Sequence, residues 1–177
     1  MEILNSGFMY LAKRDKRFRP VMVVNCAVVK KFSQKDLDDL VPCIEHLLTF
    51  MQAHICIKGK ADTMTLIIDL NGLGMTEIPV TALKGFLSSA QTRFRGSLFK
   101  QYMVNASGMI KMSFNFFKMM VDEFSREKMN MFGNDFQPTL LGIIDRQNLE
   151  RRFGGDLPDI SGTFFPPDMS MAGEEMV

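Results

Sequence analysis

The chain has 177 residues, 46% hydrophobic and 23% charged, with a formal net charge of +1. That balance fits one folded domain with a real core and argues against extended disorder. A net charge so near zero provides no global field for nucleic acid, so no nucleic-acid partner is expected.

Residues 1–17 read as a lead-in, with Phe8 to Leu11 as an apolar anchor and a basic run from Lys13 to Arg19. Pro20 blocks a helix, and the β-branched run 21–29 predicts a strand. Ser33 is placed to cap a helix over 34–53, with Asp36 at its positive end. Apolar residues at helical spacing support that helix, and Pro42 predicts a kink or a break in it. Residues 58–62 form a turn. The near-continuous apolar run 64–70 predicts a strand buried on both faces of a parallel sheet. Asn71 to Gly74 end it. A helix over 79–95 follows, with Pro79 near its first turn. Strand 99–104, helix 107–124, strand 128–132 and helix 136–144 come next, then a short helix over 147–152. From Gly155 on, Pro, Gly and Asp predict irregular chain. Strands alternating with helices define an α/β class. The expected core is a mixed, largely parallel sheet of about four to five strands flanked by helices. The domain spans 18–160, and a loosely ordered tail spans 161–177.

The three cysteines, Cys26, Cys43 and Cys56, fit reduced thiols better than a disulfide framework. With no Cys-x-x-Cys unit and only His46 and His54 besides, no metal is expected. No apolar run reaches the roughly 18 residues of a bilayer span. The N-terminus lacks a signal-peptide pattern. A cytoplasmic protein, at most peripheral to membranes, is the expectation. Gly72-Leu73-Gly74 does not complete a dinucleotide fingerprint, since Glu77 stands at the third glycine position. Asp69 is an acid inside an apolar strand. Without a neighbouring His, Ser or Cys it reads as a structural acid at a strand end, and no catalytic residue or cofactor is expected. The 16 Met and 16 Phe, with no Trp, suit either a plain core or a wall that repacks around apolar ligands.

Five segments in order resemble the CRAL-TRIO family of lipid-binding domains. Phe18-Arg19-Pro20-Val21 is similar to the family's Gly-Arg-Pro-Val, after a lead echoed by Gly7, Tyr10, Asp15 and Lys16. Ile67 to Gly72 resembles an apolar-Asp-x-x-Gly strand. Met103 to Ala106 resembles an Ile-Asn-Ala/Pro strand end. Lys128 to Gly133 resembles Lys-Ile-x-Ile-x-Gly. Leu149 with Phe153-Gly154-Gly155 resembles a Leu-Pro-x-x-Tyr/Phe-Gly-Gly ending.

The resemblance implies a sheet floor, a hydrophobic pocket and a mobile gate helix. It implies binding and intermembrane transfer of a phospholipid or similar apolar ligand, with no enzymatic activity. Ser125 and Lys128 fall on the family's head-group positions, while Gly96 stands where phosphoinositide binders carry Glu. Met109, Met112, Phe116, Phe117 and Met120 are then the pocket wall. Strand alternation from Lys128 adds Asn130 and Phe132 to the lining, with Met129 and Met131 behind. Phe136, Leu140, Leu141 and Ile144 are the gate. The partners implied are an apolar ligand and a transient membrane surface. A regulatory module with a protein partner and little lipid transfer remains open, as does a carrier of a tocopherol, retinoid or sterol-like molecule.

Overall fold

The computed structural model describes residues 2–74, 85, 88, 92–94, 96–119 and 121–169. Five strands form one sheet in sequential order: β1 (Met9–Arg14), β2 (Pro20–Asn25), β3 (Met64–Asp69), β4 (Leu98–Val104) and β5 (Met129–Met131). β1 runs antiparallel to β2, and every later pair is parallel. The lead-in thus holds a strand of the sheet, and Tyr10 and Met9 contribute to its two faces.

The strand expected over 21–29 stops at Asn25. The Asn25 side chain accepts from the Ala27 amide and caps a 3-10 helix, Cys26–Lys31. Helix α1 (Gln34–Phe50) begins on a capping box, Ser33 and Asp36 each accepting from the other's amide. It passes through Pro42 unbroken and ends in a π-helical turn, Met51–Ile55. The helix expected over 79–95 lies largely outside the described residues. The helix expected over 107–124 is divided into α2 (Gly108–Met119) and α3 (Glu123–Arg126). Helix α4 (Gln137–Ile143) follows β5. The α-helix expected over 147–152 is instead two 3-10 turns, Arg146–Asn148 and Arg151–Phe153. The segment is tied across itself instead: Arg146 accepts from the Asp156 amide as well as from the Leu149 amide, and Leu149, between the turns, accepts from the Leu157 amide.

Register defines the two faces. One row crosses the sheet as Tyr10, Val23, Ile67, Tyr102 and Asn130, and the next as Met9, Val24, Ile68, Met103 and Met131. The first face is covered by Phe136, Leu140 and Ile144 with Leu149 and Phe153, all buried. The second is covered by α1 over β1 to β3, through Leu40, Ile44, Leu47 and Leu48. Toward β4 and β5 it is covered by α2, through Ile110. Consecutive parallel strands joined by right-handed crossovers place α1 and α2 on one side of the sheet. No helix among the described residues is long and apolar enough to cross a membrane.

The described part of the tail is fastened to the body. The Phe164 and Phe165 amides both donate to Asn5 Oδ1 at 2.9 Å, and the Phe164 ring lies 5.1 Å from that of Tyr10. Phe165 sits edge-on to Phe50 and His46, and Lys13 bonds Asp168 at 2.9 Å. Residues 161–169, expected to be loose, are therefore docked.

Candidate functional site

Ser125 and Lys128, the pair expected at a head group, lie in the turn before β5. Asp122 is the N-cap of α3; its Oδ1 accepts from the Ser125 amide and its Oδ2 from the Ser125 hydroxyl, at 3.0 and 2.9 Å. Lys128 donates Nζ to the Leu98 carbonyl and lies 3.9 Å from the Phe124 ring centroid. Burial holds the Lys128 ammonium below its usual range, and Asp122 works against that shift. The hydroxyl is thus already bound to a carboxylate whose charge also acts on the ammonium. An anionic head group would have to share this turn with Asp122 or displace it.

Register divides the expected pocket wall between the two faces of the sheet. Tyr102 pairs with Asn130, and Met103 with Met131. Asn130 and Phe132 belong to the face covered by α4, while Met129 and Met131 lie under α2 with Ile68, Met103 and Ile110. The sheet separates the two groups, so they cannot line one cavity. Met109 and Met112 are also displaced from their expected role. They are 67% and 84% exposed, and Met119, on the same helical face, is 77% exposed. The side chains of Phe116 and Phe117, and all of Met120, lie outside what is described.

The helix expected as the gate, 136–144, is α4 and lies against the first face of the sheet. Phe136, Leu140 and Ile144 are at most 2% exposed in the core, and Leu141 packs against them. Lys16 holds the C-terminus of α4, donating Nζ to the Leu141 and Gly142 carbonyls at 2.8 and 3.3 Å. This helix and α2 lie on opposite faces, so α4 cannot close a pocket walled by α2. On the other face Ile68, Met129 and Met131 are half-buried, as Phe132, Leu141 and Ile143 are on the first. A separate cavity of about 10 Å³ lies beneath α1 between Phe8, Met9, Leu40, Cys43, Ile44 and Leu47, with Ile3 and Leu4. It has room for about one water.

Two buried acids anchor the frame. Asp69 accepts from the Asn71 amide and from Asn105 Nδ2 at 3.0 and 2.8 Å, as a structural acid at a strand end does. Glu150, 1% exposed, accepts from the Tyr10 hydroxyl (2.8 Å), the Ile160 amide (2.8 Å) and Arg152 (3.1 Å). Sequence reading missed this cluster, because Tyr10 and Glu150 stand far apart in the chain. Burial pushes the Glu150 carboxyl up to about 7; the Ile160 amide opposes this, and Asp159 and Asp69 add to it. A folded value above the unfolded one means that this group's stabilisation is full below about 4.5 and is lost as pH rises through about 7. Glu150→Gln keeps the shape and removes the titration. Urea unfolding at pH 5 and pH 8 should show a smaller loss of stability with rising pH in E150Q than in the parent. Equal pH dependence would place the titrating group elsewhere.

Comparison with known proteins agrees with this architecture. The family model for the CRAL/TRIO domain matches residues 4–155, and the chain belongs to that family. It is similar to the Sec14 cytosolic factor of Schizosaccharomyces pombe, 29% identical over 100 residues, which covers 55% of this chain and 35% of that protein. It is 26% identical over 153 residues to the phosphatidylinositol/phosphatidylcholine transfer protein SFH4 of Arabidopsis thaliana, covering 80% of this chain and 25% of that one. The Sec14 cytosolic factor of Kluyveromyces lactis is 25% identical over 179 residues, covering 94% and 60%. The chain therefore spans less than two thirds of the length of these relatives. In fold it resembles the crystal structure of Sfh5, with a TM-score of 0.73 at 15% identity, over 94% of this chain and 62% of that one.

Proposed function

We propose that the chain binds a phospholipid, or a ligand of similar apolar shape, between α2 and the β3–β5 face, and carries it between membranes from the cytosol. The observation that supports this best is the half-buried row Ile68, Met129 and Met131 under a helix that turns Met109, Met112 and Met119 to solvent. Monomeric folds seldom expose apolar side chains in clusters without a use for them. Methionine suits a wall that must fit varied acyl chains. Each methylene buried there is worth roughly 0.8 kcal/mol, so a chain of several methylenes can compete with the bilayer for its lipid. Similarity to a phosphatidylinositol/phosphatidylcholine transfer protein supports the phospholipid class, and similarity to a cytosolic factor supports the compartment.

The test is mass spectrometry of organic extracts from the purified chain after exposure to mixed-lipid vesicles. A stoichiometric phospholipid is expected. No retained ligand would favour a regulatory module, and a retained tocopherol, retinoid or sterol would change the ligand class. Lys128→Ala should lower retention of anionic phospholipid and leave phosphatidylcholine unchanged. Equal retention of both would remove Lys128 from the site. The Asp122 carboxylate beside Ser125 and Lys128 favours a zwitterionic head group as the main species.

A further inference from the structure

Phe18 combines two properties that folded chains usually avoid. Its φ is +62°, a left-handed conformation that is a genuine outlier for a bulky residue. Its side chain is 58% exposed at the tip of the β1–β2 loop. The CRAL-TRIO pattern carries glycine at this position, which adopts that conformation without strain. Here the chain accepts the strain and displays an aromatic ring.

The loop is held rigid around it. Asp15 Oδ1 accepts from the amides of Arg17 and Arg19, and Asp15 Oδ2 from Arg19 Nε. The Phe18 amide donates to the Asp15 carbonyl, and Arg14 donates to the Phe18 carbonyl. The exposed ring is flanked by Lys16 and Arg17, both exposed.

Position supplies a third observation. β2, β3, β4 and β5 are parallel, so the chain segments just before them share one end of the sheet. That end holds the Phe18 loop before β2 and the Ser125–Lys128 turn before β5. Arg19 lies 3.3 Å from the Phe99 ring centroid on β4, and Lys128 bonds the Leu98 carbonyl on the same strand. Phe124, 49% exposed, and Arg126, exposed, are at this end as well.

We propose that this end of the sheet docks on an anionic lipid bilayer, with Phe18 as a rigid wedge entering the acyl boundary and the exposed Arg17 at the head groups. The proposal rests on the carrier reading above and names the surface by which the carrier meets its membrane. An aromatic ring beside an exposed cation is suited to an interface that is apolar below and anionic above. A preorganised loop binds without losing conformational freedom.

The test is co-sedimentation with phosphatidylcholine vesicles containing phosphatidylserine, alongside thermal melting, for the parent, Phe18→Asn and Phe18→Gly. Asn and Gly both tolerate the left-handed conformation. The parent should bind these vesicles, more weakly as salt is raised. Both variants should bind about tenfold more weakly, the loss expected for one buried aromatic ring. Both should melt no lower than the parent, since the strain is relieved. Variants that bind like the parent, a parent that does not bind, or a binding loss matched by a drop in melting temperature would each overturn the proposal. A chain that yields extracted phospholipid but ignores the vesicles would overturn the wedge alone. A chain that binds vesicles through Phe18 and yields no lipid would keep the wedge and overturn the carrier reading.

Discussion

Asp15→Ala is expected to remove about 3–5 kcal/mol of stability, the cost of leaving a buried cation and its neighbours unpaired. The Asp15 side chain is fully buried and accepts four hydrogen bonds. Arg17 N and Arg19 N donate to Oδ1 at 2.8 and 3.0 Å. Arg19 Nε and the Thr65 hydroxyl donate to Oδ2 at 2.7 and 2.9 Å. Alanine leaves all four donors without this acceptor, and the Arg19 side chain is only 10% exposed. A domain of this kind has roughly 5–15 kcal/mol in total, so about a fifth or more would be lost. Asp15→Asn is a sharper probe. It keeps one acceptor oxygen but turns an amide N–H toward a donor, so recovery should be partial at best. Urea unfolding followed by circular dichroism reads both. A stability within about 0.5 kcal/mol of the parent for D15A would mean that water replaces the carboxylate. Because Asp15 also shapes the loop that carries Phe18, D15A should lower vesicle binding as well, and here with a loss of stability.

Much of the sheet was legible because its strands have strong local signatures. Met64 to Asp69 is an apolar run interrupted only by Thr65 before its terminal acid, and β4 and β5 carried recognisable family segments. β1 was passed over because Met9 to Leu11 is continuously apolar and then turns basic, so it has no alternation to read. Its Lys13 and Arg14 find partners in Asp168 and in the Phe18 and Ile55 carbonyls, which are far from obvious in sequence. Val28 and Val29 carry strand propensity, yet Asn25 captures the Ala27 amide and starts a 3-10 helix. A single local hydrogen bond overrides propensity there.

The site was less legible than the fold, for one physical reason. Pocket lining depends on which face each strand residue takes, and faces depend on register. Register slips at Met64/Thr65: Met64 pairs with Leu98 but Thr65 with Lys100, leaving Phe99 as an extra residue. Alternation counted from Lys128 does separate Asn130 and Phe132, on the α4 face, from Met129 and Met131; what it could not show is that α2 covers the other face. Handedness was the usable signal. Right-handed crossovers place the Met-rich helix α2 on the α1 side, and α2 and the alternate methionines of β5 share that face. Apolar spacing is the same for a buried plug and for a closed lid, so the sequence does not distinguish the two for α4.

Gly155→Ala should be the other severe substitution, and it is severe for steric reasons. A Cβ on Gly155 would stand 1.8 Å from the Leu149 carbonyl oxygen and 2.4 Å from its carbon. Both atoms are backbone, so no rotamer change relieves the clash. The Leu149 carbonyl is also held, accepting from the Leu157 amide at 3.0 Å, while the Gly155 amide donates to the Glu150 carbonyl at 3.1 Å. Moving either side of this turn breaks one of those bonds and lifts the segment that covers Glu150, Leu149 and Phe153. The expected loss exceeds about 3 kcal/mol, beyond ordinary overpacking. Gly142→Ala is the matched control. Gly142 lies in α4 with nothing within 4 Å of a Cβ and no positive φ, so alanine there should stabilise by about 0.5–1 kcal/mol through helix propensity. The two substitutions add the same methyl group and should move the melting temperature in opposite directions. If G155A melts with the parent, the Leu149–Gly155 turn is not packed as described. In that case the enclosure of Glu150, and with it the expected pH dependence, falls too.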